Sequence, residues 1–137
     1  MRSPLAASAL ASVFAGALAL CFPALARAAP DAAHGEEVYA RCMACHALAF
    51  DRVGPRHCGL LGRRAGSVAG FNYSAAMKKS RITWSDKTLD RFLTKPLKMV
   101  PGTAMTYDGV ADPKDRADLI AYLKHANETP ECVKQSH

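Results

Sequence analysis

Apolar residues recur at helical spacing near the end of the chain, most clearly in the segment 112–126. Asp112 precedes Pro113, an order typical of a helix N-terminus, because aspartate caps free N–H groups and proline fits the first turn. The segment carries one apolar set, which consists of Ala117, Leu119, Ile120, Tyr122 and Leu123. We therefore predict a helix over 112–126 that packs against a helix near the start of the domain.

Three shorter helices are predicted upstream, at 34–41, 74–79 and 85–95. The segment 85–95 has serine and aspartate at its start as candidate caps and three apolar residues on one face. Pro96 is expected to end it, because proline cannot continue a helix. Long β-branched runs, which would indicate a sheet, do not occur between these helices.

The segment 47–73 shows no helical period and contains five glycines, at positions 54, 59, 62, 66 and 70. Glycines at this frequency predict a loop rather than regular structure. A loop this long in a small domain usually wraps around something.

The N-terminal pattern differs from the rest of the chain. A single Arg2 precedes an apolar run from Leu5 to Phe22, and small residues follow at Ala26 and Ala28. This order predicts a secretory signal peptide, residues 1–28, cleaved after Ala28, so that residues 29–137 form one domain in the periplasm. The alternative is a retained membrane anchor, for which the apolar run is only marginally long enough.

Composition limits what the exported domain can do. The whole chain has 137 residues and a formal charge of +6; without residues 1–28 it has 109 residues, 16 of them basic and 12 acidic, a net charge of +4. So mild a charge argues against nucleic acid as a partner and suits acidic patches on other proteins. The aromatic content of 7% is modest for the core of a chain this short, and a bound apolar group would supply the missing bulk.

One short motif supplies the candidate for that group. Cys42-Met43-Ala44-Cys45-His46 has the C-x-x-C-H spacing that attaches a c-type haem: the cysteines form thioether bonds and the histidine ligates the iron. A zinc site would need a second ligand pair at comparable spacing, and a thioredoxin-like dithiol would need a βαβ pattern. Neither occurs, so we predict one covalently bound haem.

The second axial ligand decides between a carrier and a catalyst, because an open iron can bind gases or peroxide. Met105 follows the turn-forming Pro101-Gly102-Thr103 and is our candidate. Met43 lies inside the covalent loop, while Met77 and Met99 fall in predicted helical or core positions.

Cys58 and Cys132 are left over in the mature chain. An oxidising compartment favours a disulfide between them, tying the loop after the haem motif to the C-terminal tail. The alternative is two unrelated thiols.

With these motifs in order, the chain resembles the class I cytochromes c, the small bacterial ones closest to the mitochondrial protein. The resemblance covers about 35–126, and its further motifs are Val53-Gly54-Pro55, Gly59-Leu60-Leu61-Gly62-Arg63, Gly70-Phe71-Asn72-Tyr73, Ile82-Thr83-Trp84 and Asp118-Leu119-Ile120-Ala121-Tyr122-Leu123. It implies an all-α cytochrome c fold, with short helices and long loops wrapped around one haem.

The resemblance also implies residue roles. Pro55 matches the carbonyl that accepts a hydrogen bond from the ligand histidine, Tyr73 and Trp84 match donors to a haem propionate, and Arg63 matches the cation beside it. The implied haem-binding set is Cys42, Cys45, His46, Pro55, Arg63, Tyr73, Trp84 and Met105, with His46 and Met105 on the iron.

Several positions depart from the family pattern. Phe92 replaces a tyrosine that bonds the methionine sulfur, and Met77 replaces an asparagine in the same network. His57 occupies a position usually given to an apolar residue on the histidine side of the ring. Because an unpaired buried imidazole is costly, we expect His57 to be neutral and hydrogen-bonded, or rotated outward. Leu97 and Ala104 stand where the family often has docking lysines.

The predicted function is single-electron transfer in the periplasm, without enzymatic activity. The expected partners are respiratory or photosynthetic membrane complexes, periplasmic dehydrogenases or a terminal oxidase, bound transiently by a monomer that has no stable membrane insertion after signal cleavage. The alternatives are the haem subunit of a periplasmic dehydrogenase and a peroxidase-like or gas-binding protein with a labile methionine. The candidate basic rim for docking consists of Arg41, Lys78, Lys79, Lys95 and Lys98.

Overall fold

The structure is a computed structural model, and it describes residues 28–134. Its α-helices are α1 (Ala32–Tyr39), α2 (Ala75–Lys79), α3 (Asp86–Thr94), α4 (Pro96–Met99), α5 (Pro113–Glu128) and α6 (Pro130–Val133), and a 3₁₀ turn, Ala40–Cys42, follows α1. Over the described range there is no strand, only an isolated bridge between Arg64 and Thr83. The predicted signal peptide lies outside the described residues except for Ala28. None of the helices described is both long and apolar enough to cross a membrane.

All four predicted helices are present, and side-chain caps explain where they begin. Asp31 accepts hydrogen bonds from the backbone N–H groups of Ala33 and His34, so α1 begins two residues earlier than predicted. Ser85 and Asp112 cap α3 and α5 in the same way. Pro96 ends one helix as expected, but it also begins α4, because proline is well suited to a first turn.

The long helix α5 packs against α1. Val38 of α1 and Leu119 of α5 are almost fully buried, at 2% and 1% exposed. Gly35 permits the close approach, since a Cβ there would lie 2.0 Å from the backbone oxygen of Asp118. The predicted packing of these helices is therefore confirmed.

The loop after the haem motif is fastened to the C-terminal helices. Cys58 and Cys132 form a disulfide, as predicted. The side chain of Asn127 in α5 donates to the backbone oxygen of His57 and accepts from the backbone N–H groups of Gly59 and Leu60. The long loop consequently has a defined course although it lacks regular structure.

Candidate haem site

The Cys42–His46 motif forms a single helical turn at the end of α1. The backbone N–H groups of Cys45 and His46 both donate to the oxygen of Cys42, at 3.1 and 2.9 Å. Neither cysteine is part of a disulfide, and burial raises the pKa of the Cys42 thiol to about 11. A redox dithiol has the opposite property, a thiol with a lowered pKa. In residues 28–134 no three His, Cys, Asp or Glu side chains are grouped so that they could hold a metal ion.

His46 presents one nitrogen for coordination. Its Nδ1 lies 2.8 Å from the backbone oxygen of Pro55. A carbonyl can only accept a hydrogen bond, so Nδ1 carries the proton and Nε2 keeps its lone pair. Burial lowers the pKa of His46, which favours the neutral imidazole that binds metals. Gly54 leaves room for the ring, because a Cβ there would lie 2.2 Å from Cε1 of His46.

A cavity of about 490 Å³ opens beside this histidine. Cys42, Cys45, His46 and Met105 all line it, and much of the remaining wall is aliphatic and aromatic, with Leu60, Phe92, Leu93, Leu119 and Leu123 among its members. Two thiols, a free imidazole nitrogen and a thioether around one apolar cavity are the donor set of a c-type haem. The residues present therefore fit that group.

Met105 enters the cavity from a loop. Thr103, which is buried, accepts a hydrogen bond from the backbone N–H of Met105 through its hydroxyl, and its own N–H donates to Val100. Gly102 has a φ of 86°, a turn conformation that suits glycine. Among the other methionines, Met77 of α2 also lines the cavity, whereas Met43 is 52% exposed.

The residues assigned to the propionate side lie at the same cavity. Arg63, Tyr73 and Trp84 all line it. The backbone N–H of Trp84 donates to the oxygen of Arg63, which holds the two residues together. The Arg63 guanidinium donates to the backbone oxygens of Cys58 and Arg56, both at 2.8 Å, so its position is set by the loop that carries it.

His57 has a partner that was not predicted. Its ring stacks on His46 with centroids 4.3 Å apart, and its Nδ1 is 3.1 Å from the hydroxyl of Tyr39. Burial lowers the pKa of His57 well below its ordinary value. The imidazole is thus neutral and hydrogen-bonded, the first of the two expected outcomes. Tyr39 lies 18 residues before His57, and its sequence position carried no sign of this contact.

The candidate basic rim is exposed, with one ion pair in it. Lys78, Lys79, Lys95 and Lys98 have exposed side chains. Arg41 also lies at the surface, where its guanidinium pairs with Asp115 at 3.1 Å. Among these cations Leu97 is 45% exposed, so the surface is mixed rather than uniformly basic.

Comparison with known proteins assigns the family. Residues 32–127 match the Cytochrome c family. Cytochrome c2 of Rhodomicrobium vannielii is 47% identical over 108 residues, 77% of this chain and 86% of that protein, and cytochrome c of Nigella damascena is 42% identical over 102 residues, 72% and 92%. The solved structure of cytochrome cH from Methylobacterium extorquens has a TM-score of 0.68 at 46% identity, covering 69% of this chain and 98% of its own. The chain therefore belongs to the cytochrome c family, as an all-α electron carrier with covalently bound haem c and not an enzyme.

Proposed function

We propose that the chain is a periplasmic one-electron carrier whose haem iron is ligated by His46 and Met105 and whose haem is attached through Cys42 and Cys45. The observation that carries the proposal is the orientation of His46. The backbone oxygen of Pro55 accepts a hydrogen bond from the protonated Nδ1 of His46. This leaves Nε2 of His46 free beside a cavity that Met105 also lines.

The residues of the chain have three tasks in this function. Pro55 and Gly54 set the position of the ligand histidine. The apolar part of the wall, including Leu93 and Leu119, would keep water from the iron, and Met105 as its second protein ligand would exclude gases and peroxide. The bound haem supplies an iron that alternates between the ferric and ferrous states. His46 and Met105 would hold that iron in both states, so electron transfer would require little rearrangement.

Export precedes this function in our proposal. Residues 1–28 act as a signal peptide cleaved after Ala28, and 29–137 form the single mature domain. The Cys58–Cys132 disulfide suits an oxidising compartment. The test is the N-terminal sequence and the intact mass of the protein recovered from the periplasm. A mass that retains residues 1–28 contradicts the proposed cleavage.

Docking in our proposal is transient and only partly electrostatic. Membrane redox complexes or periplasmic dehydrogenases meet a monomer whose exposed lysines, such as Lys95 and Lys98, attract an acidic patch. Leu97 lies between them and is exposed, so salt should slow association without abolishing it. Rates that do not change with ionic strength contradict the electrostatic part, and co-purification in a stable complex contradicts the transient part.

The visible spectrum of the purified holoprotein tests the ligands. The ferric protein should show the weak far-red band of a methionine sulfur on iron, and the ferrous protein should not bind carbon monoxide. Met105→Ala should remove the band and admit carbon monoxide. Met77→Leu is the matched control, because Met77 lines the same cavity from α2, and it should keep the band. If Met77→Leu lost the band and Met105→Ala kept it, the ligand would be Met77 and the proposed ligation by Met105 would be wrong.

A further inference from the structure

Two side chains outside the predicted haem set are joined to the ligand histidine in one row. The imidazole of His57 is stacked on that of His46, with an angle of 22° between the ring planes. The hydroxyl of Tyr39 is hydrogen-bonded to Nδ1 of His57, and its ring meets that of His57 edge-on at 63°. Tyr39 in turn packs on Tyr122 with centroids 5.1 Å apart.

The backbone of His57 is held from two sides, which fixes the point from which its side chain extends. Its N–H donates to the oxygens of Ala47 and Leu48, at 3.1 and 3.0 Å, and its own oxygen accepts from the side chain of Asn127. The next residue, Cys58, is in the disulfide with the C-terminal helix. The long loop and α5 thus bring His57 against His46 independently of the haem motif itself.

We infer that Tyr39 and His57 form a positioning pair that fixes the ring plane of His46 and lowers the reduction potential of the site. The inference rests on the proposed ligation by His46. The bond from Nδ1 of His46 to Pro55 restrains one edge of the ring, and a stacked neighbour restrains rotation about that bond. A polar pair next to the ligand histidine also favours the more highly charged ferric state, relative to the aliphatic residue usual at this position.

The pair acts as a dipole and carries no charge. The phenol of Tyr39 and the imidazole of His57 are hydrogen-bonded to each other away from water, and burial favours the neutral form of each. A phenol and a neutral imidazole can share one hydrogen bond, which holds the His57 ring parallel to the ligand ring.

Four variants of the holoprotein test the pair: His57→Leu, Tyr39→Phe, the double variant, and Tyr122→Phe as control. The control removes the hydroxyl of a buried tyrosine that packs on Tyr39 and does not line the cavity. The readouts are the reduction potential and the paramagnetic NMR shifts of the haem methyl groups, which depend on the orientation of the axial imidazole plane. A variant that is merely less stable would change neither the reduction potential nor the methyl shifts.

We expect His57→Leu to raise the potential and to change the methyl shifts. At a fixed solution potential, the ratio of oxidised to reduced protein should fall by about threefold to tenfold. This factor corresponds to the net free energy of one hydrogen bond. Tyr39→Phe should change the methyl shifts when His57 is present and leave them unchanged in the His57→Leu background. Tyr122→Phe should leave both readouts at their original values.

Two results would overturn the inference. One is that His57→Leu leaves potential and methyl shifts unaltered, or lowers the potential. The other is that Tyr39→Phe has the same effect in both backgrounds, because its action would then not pass through His57. A failure of the proposed function is distinguishable, since it would remove the far-red methionine band from the unsubstituted protein, whereas failure of this inference leaves that band in every variant.

Discussion

Gly35 in α1 lies directly against the backbone of Asp118 in α5, and a Cβ on Gly35 would stand 2.0 Å from the Asp118 oxygen and 2.8 Å from the Cβ of Tyr122. No rotamer can relieve a clash with a backbone oxygen, so the two helices would have to move apart. Helices α1 and α5 can therefore pack at this distance only with glycine at position 35.

Gly35→Ala should lower the free energy of unfolding of the holoprotein by about 1–3 kcal/mol, the usual cost of overpacking a core. Denaturant unfolding followed by circular dichroism measures it. Glu36→Ala is the control, because Glu36 is an exposed residue of the same helix, and it should change stability by less than about 0.5 kcal/mol. Equal stability of Gly35→Ala and the parent would contradict the close approach.

The carboxylate of Asp118 should make stability depend on acid pH. It accepts from Lys114 at 2.5 Å, from the backbone N–H of Asp31 at 2.8 Å and from Nδ1 of His34 at 2.8 Å. The hydrogen bond from Lys114, followed by that from Asp31, lowers the pKa of Asp118 to about 2. An unfolded aspartate has a pKa near 3.9, so the folded state gains stability above that pH and loses it as the pH falls toward 2.

Asp118→Asn should therefore be less stable than the parent at neutral pH by about 2 kcal/mol, with the difference shrinking between pH 4 and pH 2. The measurement is the free energy of unfolding of both proteins at a series of pH values. Asp108→Asn is the control: Asp108 is exposed, and its substitution should change stability at neutral pH by less than about 0.5 kcal/mol. A constant difference between Asp118→Asn and the parent across this range would show that the carboxylate charge is not the cause.

The disulfide between Cys58 and Cys132 closes a loop with a sequence separation of 74. Replacing both cysteines by alanine should lower the free energy of unfolding by up to about 4 kcal/mol, because the cross-link limits the unfolded chain. Covalent haem already restrains that chain, so the measured loss should fall below this value. Guanidinium unfolding of parent and double variant measures it, and a reductant should shift the parent alone. Unchanged stability of the double variant would contradict the prediction.

Gly54→Ala should disturb the ligand histidine more than the fold, because the new Cβ would lie 2.2 Å from Cε1 of His46. We expect a weakened or lost far-red methionine band and a reduced yield of haem-loaded protein, as His46 is pushed from its place. Val53→Ala is the matched control, since Val53 precedes this glycine and is 82% exposed. Full haem loading with an unaltered spectrum in Gly54→Ala would show that His46 can move without consequence.

Much of the fold was predictable because its signals are short-range. Asp112 followed by Pro113 marks a helix start within one turn, and α5 begins there. The haem motif is also local: five consecutive residues carry the cysteines and the histidine. Pairing of Cys58 with Cys132 was predictable because the haem motif and the predicted signal peptide accounted for the other three cysteines. The helices α4 and α6 were missed, because each has only four residues and too few positions to show a period.

The sequence by itself determined the family, the haem motif, the main helices and the candidate ligand Met105, since each is encoded by neighbouring residues or by a proline–glycine turn. Only the tertiary structure decided what His57 contacts. Tyr39 lies 18 residues away, and Asn127, which holds the His57 backbone, lies 70 residues away. Contacts of this kind depend on how α1, the loop and α5 pack together, and no periodicity along the chain encodes that packing.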